Sequence, residues 1–304
     1  MNPIYKTVGV VGAGAMGRGI AQIATQAGSQ VKLFDMQAEA VAKAIAALGS
    51  QWDKLVEKQR LSPEQATQYK QALQPAAQLA DLADCDLVIE AIVERLDIKK
   101  SFFAELEALV QPTAVLVTNT SSLSVTAIAS ALKRPEQFAG YHFFNPVPLM
   151  KVVEVIAGIK TKPAVCQDLA QYATQMGHKA VHAQDTPGFI VNHAGRGYGT
   201  EALRIVSEGI ADFATIDRIL KDQAGFKLGP FELMDLTALD VSHPVMESIY
   251  QQYYEEPRYR PSVITAQRLA GGMLGKKVSD GFYKYENGIA QIPAESPVPE
   301  SVLL

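Results

Sequence analysis

Short apolar runs alternate with amphipathic stretches through the first half of the chain. Helical periodicity extends from Ala15 to Ala27 and from Glu39 to Lys58, and Ser62-Pro63-Glu64 has the cap, first-turn proline and acidic residue of a further helix start. Six apolar runs between such stretches are strand candidates: Thr7 to Val11, Gln30 to Phe34, Asp86 to Ile92, Ala114 to Thr118, Phe138 to His142 and Val152 to Ile156. Apolar strands that alternate with helices predict an α/β fold, with a doubly wound, mostly parallel sheet that helices cover on both faces.

The pattern changes after Asp185-Thr186-Pro187-Gly188, where helical periods replace the alternation. No clear strand follows, so we expect a sheet domain over residues 1–185 and an all-helical domain over residues 186–287. Three prolines among Ala, Glu and Ser give residues 288–304 the composition of a tail or linker. Such a segment suits a frayed end and equally a piece of a longer, two-part protein.

The composition excludes several classes of protein. With 304 residues, 48% of them hydrophobic and 20% charged, the chain suits a globular protein of about two domains. Its net charge of −4 argues against nucleic acid as a partner, because binding a phosphate backbone needs a basic patch. Neither a membrane span nor a signal peptide is visible, so a cytoplasmic location is expected. Cys85 and Cys166 form no CxxC pair, so neither a metal site nor a disulfide is expected.

A glycine-rich turn directly follows the first strand candidate and opens a helix. The segment has GxGxxG spacing, in which glycines make the turn, let backbone approach a pyrophosphate, and let helix and strand pack closely. Asp35 ends the second strand candidate, where an acidic side chain can accept both ribose hydroxyls and repel a 2′-phosphate. A Rossmann-type domain that binds NAD is therefore predicted, with contacts from Gly12, Gly14, Ala15, Met16, Gly17 and Asp35. The competing interpretation is a glycine turn beside an unrelated surface aspartate.

Two polar segments begin where predicted strands end, which is where doubly wound sheets bind ligands. Asn119 to Leu123 follows one strand, and Tyr141 to Pro148 contains His142 among aromatic residues. Considered alone, such a histidine is more often structural than catalytic. Glu154 lies in an otherwise apolar strand, however, and a buried carboxylate there needs a partner. If it accepts a hydrogen bond from His142, the other imidazole nitrogen can act as the base that a hydride-transfer enzyme needs.

A set of longer motifs resembles one known family. In chain order they are GAGAMG, EAIVE at Glu90–Glu94, NTSSL, HFFNPVP with MKVVEV, DTPGFIVN at Asp185–Asn192, GPFEL at Gly229–Leu233 and GFYKY at Gly281–Tyr285. Over residues 6–285 this ordered set resembles the L-3-hydroxyacyl-CoA dehydrogenases, which include the 3-hydroxybutyryl-CoA dehydrogenases. The resemblance implies NAD-dependent, reversible oxidation of an (S)-3-hydroxyacyl-CoA to the 3-oxoacyl-CoA. It also implies that the helical domain helps to bind substrate and carries the contacts of a homodimer.

The same resemblance implies roles for individual residues. His142 is the implied catalytic base, Glu154 is its orienting carboxylate, and the donors to the substrate's oxygens are Ser121 and Asn192. Further cofactor contacts are implied for Glu94, Lys99, Asn119, Asn145 and Lys277. Lys58 matches a position that meets the phosphates of CoA, and Lys54 lies one helical turn away. For these two lysines a solvated helix face is an equal alternative.

Two departures from the family pattern leave the substrate open. After Asn192 the family commonly continues with Arg and an apolar helix, whereas this chain has glycines at 195, 197 and 199, each costing about 1 kcal/mol in a helix. A partner subunit, the first domain or a bulkier acyl chain is expected to come close there. Gln51 replaces a small hydroxyl residue on the CoA side. The acyl chain length, a carboxylate at its far end, and the pathway (fatty-acid, butanoate or aromatic degradation) are therefore not determined.

Two other functions are compatible with an NAD-binding fold. One is a dehydrogenase of a free hydroxy or sugar acid, of the gulonate type, although such relatives differ around HFFNPVPLMKVVEV. The other is a non-catalytic, crystallin-like protein that binds NAD. The presence of Ser121, His142, Glu154 and Asn192 argues against the non-catalytic alternative.

Overall fold

The computed structural model describes residues 3–293, and the chain divides between Ile190 and Val191 into two compact units. The sequence pattern indicated a slightly earlier boundary, at residue 185. Phe189 packs in a core of the first unit, and the Ile190 N–H donates to Glu154 of that unit. These contacts keep the residues after the Pro187-Gly188 turn with the sheet.

An eight-stranded sheet forms the centre of the first unit. Its strands are β1 (Thr7–Val11), β2 (Gln30–Phe34), β3 (Leu73–Pro75), β4 (Leu87–Glu90), β5 (Val115–Thr118), β6 (Phe138–Phe143), β7 (Val152–Ala157) and β8 (Lys179–Gln184). They lie in the order β3-β2-β1-β4-β5-β6-β7-β8, and only the β6–β7 pair is antiparallel. The predicted doubly wound, mostly parallel sheet is confirmed, and the strand order reverses between β1 and β4, where such sheets bind ligands.

Six α-helices accompany this sheet. They are α1 (Ala15–Gln26), α2 (Ala38–Glu57), α3 (Pro63–Ala72), α4 (Leu96–Leu109), α5 (Val125–Ala129) and α6 (Pro163–Gln175). The predicted helix start at Ser62 is confirmed as a capping box, in which Ser62 Oγ accepts from the Gln65 N–H and the Gln65 side chain accepts from the Ser62 N–H, both at 3.2 Å.

Two hydrophobic cores lie on opposite faces of the sheet, because successive side chains of a strand point to opposite faces. In β4, Leu87 and Ile89 belong to one core and Val88 belongs to the other. The first core contains residues of α1, α2 and α6, and the second contains residues of α4 and α5. Most of the strands are buried on both faces and are therefore largely apolar, which makes them visible in the sequence as nearly continuous apolar runs.

The second unit is mainly helical. Its elements are α7 (Val191–Ser207), α8 (Phe213–Asp222), α9 (Pro230–Thr237), α10 (Leu239–Gln252), α11 (Val263–Ala270), β9 (Lys284–Glu286) and β10 (Ile289–Gln291). Its core combines residues from the helices, such as Leu203, Phe231 and Leu239, with Phe282 and Tyr283 from the segment before the hairpin.

Four strands depart from the sequence-based expectation. β3 has only three residues and β8 is largely half-exposed, so neither forms the continuous apolar run that reveals a buried strand. β9 and β10 place a hairpin in a unit expected to be all-helical, and β10 lies inside the segment expected to be a tail or linker. The signal for it is Asn287-Gly288, where both residues have the positive φ that a type I′ turn requires. The rest of that segment, residues 294–304, lies outside the described residues.

Residues 3–293 contain neither a membrane-spanning helix nor a clustered metal site. No helix in that range has the length and apolar character needed to cross a bilayer. The same residues contain no group of three or more His, Cys, Asp or Glu side chains placed to hold a metal ion.

Candidate active site

The turn after β1 has the geometry of a nucleotide-binding loop. Gly12 has a φ of +103°, and its N–H donates to the Phe34 carbonyl of the neighbouring strand at 2.8 Å. A Cβ on Gly12 would lie 2.4 Å from the Ala91 carbonyl oxygen, and a Cβ on Gly17 would lie 1.7 Å from the Gly12 carbonyl oxygen. Any other residue at either position would therefore displace backbone, so sterics alone require these two glycines.

Packing does not require a glycine at position 14, because a Cβ there would meet nothing within 4 Å. Gly14 is the N-cap of α1, makes no side-chain cap hydrogen bond, and is followed by no acidic residue in the first turn. The amides and the positive dipole end of α1 thus face open space that an anion can occupy. This cradle fits a diphosphate, and Ala15 and Met16 form its first helical turn.

Asp35 follows directly after β2 and is tied to the same loop. Its Oδ2 accepts a hydrogen bond from the Ala13 N–H at 2.8 Å, and its Oδ1 accepts from the Gln37 N–H at 2.9 Å. Both bonds fix the carboxylate beside the glycine turn, where the adenosine ribose of a dinucleotide would lie in a fold of this type. The arrangement suits NAD, since a 2′-phosphate would meet a fixed negative charge.

His142 and Glu154 face each other across the antiparallel pair β6–β7. They are directly opposed in the strand register, which explains how residues 12 apart in the chain come together. His142 Nδ1–H donates to Glu154 Oε2 at 2.6 Å, and Glu154 Oε1 accepts from the Ile190 N–H at 2.9 Å. Glu154 is fully buried and His142 is 5% exposed, so this charge-assisted bond lies away from water.

The imidazole is held by packing as well as by its carboxylate. The rings of Phe144 and Phe189 lie 4.5 Å and 5.8 Å from the His142 ring, centroid to centroid. With Nδ1 donating to Glu154, Nε2 carries the lone pair. No hydrogen bond to Nε2 joins it to another of residues 3–293. A fixed tautomer with a basic nitrogen left for a ligand is what a general base requires.

Ser121 lies in a turn that Glu94 organises. A single oxygen, Glu94 Oε1, accepts from Thr120 Oγ1 at 2.6 Å, from the Ser121 N–H at 2.9 Å and from Ser121 Oγ at 3.3 Å. The N–H and Oγ of Ser122 donate to the same oxygen at 3.1 Å. Burial alone would raise the pKa of Glu94, but Lys99 and these donors together hold that pKa below its ordinary value. Glu94 therefore stays ionised and fixes the backbone that carries Ser121.

A buried ion pair supports that turn, and sequence reasoning did not assign one of its members. Lys99 is 1% exposed, and its Nζ lies 2.5 Å from Glu90 Oε1 and 3.4 Å from Glu94 Oε2. Glu90 also accepts from Thr118 Oγ1 at 2.7 Å. Lys99 thus contacts Glu94 inside the unit, and its direct contact with a cofactor stays a prediction. The sequence contained a signal for Glu90. This glutamate ends a buried strand, and Glu94 and Lys99 follow four and nine residues later.

The two asparagines expected near the cofactor differ in their surroundings. Asn119 follows β5, and its Oδ1 accepts from the Phe143 N–H at 2.8 Å, so it ties the end of β5 to the end of β6. Its amide nitrogen remains available as a donor. Asn145 is exposed in the turn after β6, on the same edge of the sheet as His142.

Lys54 and Lys58 lie at the C-terminal end of α2 and are both exposed. Neither forms a hydrogen bond or ion pair through its side chain with another of residues 3–293. Their positive charges interact favourably with the negative end of the helix dipole, so both lysines stabilise α2 without any ligand. Gln51 lies one turn earlier and is also exposed.

Two expected site residues belong to the second unit. Asn192 is the second residue of α7 and is half-buried. Lys277 forms an ion pair with Asp240, and this bond is the main reason that the Asp240 pKa lies below its ordinary value. The contact that Lys277 was expected to make with a cofactor stays a prediction.

Two motifs of the second unit have a structural explanation. A Cβ on Gly229 of GPFEL would lie 2.3 Å from Asp217 Oδ1, and one on Gly281 of GFYKY would lie 2.1 Å from Asp235 Oδ1. Both aspartates are buried and accept backbone N–H bonds from the segments that contain these glycines or follow them. These motifs therefore let the chain approach a buried carboxylate.

Comparison with known proteins gives consistent results for both units. Residues 7–186 match the family described as 3-hydroxyacyl-CoA dehydrogenase, NAD binding domain, and residues 188–285 match its C-terminal domain. A 3-hydroxyadipyl-CoA dehydrogenase of Escherichia coli is 42% identical over 92% of this chain, and the chain spans 59% of that relative's length. A 3-hydroxybutyryl-CoA dehydrogenase of Bradyrhizobium diazoefficiens is 37% identical over 96% of this chain and 99% of the relative.

Solved structures support the same assignment. A crystal structure described as 3-hydroxybutyryl-CoA dehydrogenase from Escherichia coli superposes with a TM-score of 0.92 at 41% sequence identity, covering 98% of this chain and 63% of that one. The names of these relatives differ in the acyl group, so they agree on the reaction class more than on the substrate. The sheet unit is an NAD-binding domain, and the chain belongs to the 3-hydroxyacyl-CoA dehydrogenase family.

Proposed function

We propose that this protein catalyses the reversible, NAD-dependent oxidation of an (S)-3-hydroxyacyl-CoA to the 3-oxoacyl-CoA. The observation that carries the proposal is the buried His142–Glu154 pair at the carboxyl edge of the sheet. The glycine loop after β1 ends at the same edge, because β1 and β6 run in the same direction.

In this reaction His142 Nε2 takes the proton of the substrate's 3-hydroxyl group. Bound NAD supplies the acceptor for the hydride that leaves C3. Glu154 stabilises the imidazolium that forms, and its second oxygen is held by the Ile190 N–H, so the carboxylate cannot turn away. In the reverse direction the imidazolium returns the proton to the carbonyl oxygen.

Ser121 and Asn192 are the proposed donors to the substrate's oxygens. Glu94 fixes the Ser121 turn through its hydrogen bonds, so that donor is placed before substrate binds. Asn192 lies in the first turn of α7 in the other unit. The CoA phosphates are proposed to meet Lys54 and Lys58, whose exposed ammonium groups can follow a flexible ligand.

The proposal is tested by NADH oxidation at 340 nm with acetoacetyl-CoA, 3-oxoadipyl-CoA and free acetoacetate. Turnover of either CoA ester, without turnover of the free acid, is the expected result. Turnover of the free acid alone would favour the hydroxy-acid alternative. NADH binding without turnover of any of the three would favour the non-catalytic alternative and contradict the proposal.

We also propose a homodimer, on the family resemblance of the helical unit. Light scattering coupled to size-exclusion chromatography measures the mass directly. A mass equal to that of one chain over a wide range of protein concentrations would contradict this part of the proposal.

A further inference from the structure

Arg196 lies one helical turn after Asn192 on the same face of α7. Residues four apart in a helix lie one above the other, and a long helical side chain extends back over the preceding turn. The Arg196 side chain does so, because its Nε–H donates to the Asn192 carbonyl oxygen at 3.2 Å. The guanidinium group is therefore held next to the residue proposed to bind a substrate oxygen.

This guanidinium group has no anionic partner within residues 3–293. It forms no ion pair there, and its Nη1 is buried without any hydrogen bond. Burial lowers the pKa of Arg196 from its ordinary value, since the charge has lost water without gaining a counter-ion. A buried donor without an acceptor destabilises the fold, and a charged one does so more strongly, so the arrangement is stable only if something compensates.

The helix around Arg196 leaves space that the second unit does not use. A Cβ on Gly195 or Gly197 would meet nothing within 4 Å, whereas one on Gly199 would lie 3.0 Å from Met234 Cε. Gly199 is thus explained by packing. Gly195 and Gly197 weaken the helix relative to alanine, and the space around them shows no contact that would exclude a Cβ. Both flank Arg196 in the sequence.

We propose that Arg196 binds the terminal carboxylate of a dicarboxylyl-CoA substrate, an inference that rests on the proposed function. The planar guanidinium group can hold a carboxylate with two parallel hydrogen bonds. One turn of helix rises about 5.4 Å, a distance comparable to two methylene carbons and a carboxylate beyond C3 of an acyl group. The phosphates of CoA are also anions that an arginine could bind, but the long pantetheine arm separates them from the reacting carbons. A six-carbon diacid therefore fits best.

The test compares two substrates that differ only at the far end. The value of kcat/KM is measured for 3-oxoadipyl-CoA and for 3-oxohexanoyl-CoA, which has the same number of acyl carbons and a methyl end. Wild type is expected to prefer the diacid. Arg196→Gln is expected to lower that preference roughly 10- to 100-fold, as loss of a hydrogen bond to a charged group predicts. Arg196→Lys, which keeps the charge without the planar fork, is expected to give an intermediate preference.

Arg204→Gln is the matched control, because Arg204 is an exposed arginine two turns further along α7 that forms an ion pair with Glu201. It should leave the preference unchanged. An equal loss on both substrates in Arg196→Gln would overturn the inference, since Arg196 would then act on Asn192 or on the CoA portion. Equal wild-type activity on both substrates would overturn it as well. Acetoacetyl-CoA separates the role of Arg196 from the proposed function. Turnover of acetoacetyl-CoA without discrimination between 3-oxoadipyl-CoA and 3-oxohexanoyl-CoA would defeat only the role of Arg196. Turnover of no CoA ester at all would defeat the proposed function.

Discussion

Glu90 and Glu154 of the sheet unit and Asp217 and Asp235 of the helical unit are buried carboxylates with different kinds of partner. In the sheet unit, Glu90 and Glu154 are fully buried, and each faces a side chain that carries or can carry a positive charge, Lys99 and His142. In the helical unit, Asp217 and Asp235 are 2% and 0% exposed, and neither forms an ion pair within residues 3–293. Their hydrogen bonds come from neutral N–H and O–H donors instead.

The donors around the second pair come from the backbone and from tyrosines. Asp217 accepts from the N–H groups of Phe231 and Glu232, both at 2.9 Å, and from Tyr283 Oη at 2.8 Å. Asp235 accepts in the same manner from the segment 282–285. An ionised group beside a titratable partner can move a proton, whereas one enclosed by amides can only hold backbone in place. The difference supports the proposal that the first unit carries the acid–base chemistry, whereas Asp217 and Asp235 of the second unit hold backbone segments in place.

Replacing the base should have the largest effect. His142→Gln is expected to lower kcat by about 10²- to 10⁴-fold, because the substrate proton loses its acceptor, while NADH still binds. His182→Gln is the control, since His182 is an exposed histidine on β8 of the same sheet. Steady-state kinetics and NADH fluorescence titration provide the two measurements. Near-normal turnover by His142→Gln would show that the His142–Glu154 pair is structural and not catalytic, like Asp217 and Asp235 of the second unit.

Replacing a carboxylate of the second unit should act on stability. Asp217→Asn is expected to lower the free energy of unfolding by about 1–3 kcal/mol. The asparagine NH₂ group, a donor, would replace a carboxylate oxygen that accepts hydrogen bonds, and it would face N–H or O–H donors. Asp222→Asn, at the exposed end of the same helix, should change little. Denaturant unfolding measures the loss, and kcat per folded molecule should be unchanged. A loss of kcat in Asp217→Asn with full stability would contradict the structural assignment.

Asp35 is a half-exposed carboxylate of the first unit that is proposed to serve a ligand. Asp35→Ala is expected to weaken NAD binding roughly 10-fold or more and to reduce discrimination against NADP, since both the ribose acceptor and the repulsive charge are lost. Asp53→Ala, which removes an exposed carboxylate on α2, is the control. Calorimetric titration with both cofactors makes the comparison. An unchanged ratio of the two affinities would remove Asp35 from the site.

The smallest predicted effect is an opposite dependence of stability on pH. Burial raises the pKa of Asp217 above 3.8, so the stability it contributes is present below that value and is lost as pH rises through the folded-state pKa. The pKa of Glu94 is lowered from 4.5, so its contribution is present above that value and is lost as pH falls. Thermal unfolding of wild type, Asp217→Asn and Glu94→Gln across acidic pH tests both signs. The deficit of Asp217→Asn should shrink as pH rises, and that of Glu94→Gln should shrink as pH falls; the same trend in both variants would contradict the comparison.

Much of the first unit could be predicted from sequence because its strands are buried on both faces. β1 and β2 were predicted with the same limits that the structure shows, and both follow from continuous apolar runs. β8 was missed because it is half-exposed along most of its length, so local composition carries little information about its pairing with β7. The hairpin of β9 and β10 was missed although Asn287-Gly288 marked it, because the prolines that follow suggested a linker.

The sequence by itself determined the helices and the buried strands of the sheet, the glycine turn and the residue types of the chemistry, since each depends on local pattern or local sterics. Tertiary structure alone decided which charges meet. The antiparallel register of β6 and β7 sets His142 opposite Glu154, and the parallel neighbours β4 and β5 bring Glu94 to the Ser121 turn. Such partners are far apart in the chain, and a polar residue in an apolar strand predicts that a partner exists without predicting which one it is. For Asp217 and Asp235 the partners are tyrosine hydroxyls and backbone amides, and no side-chain pattern can reveal the amides.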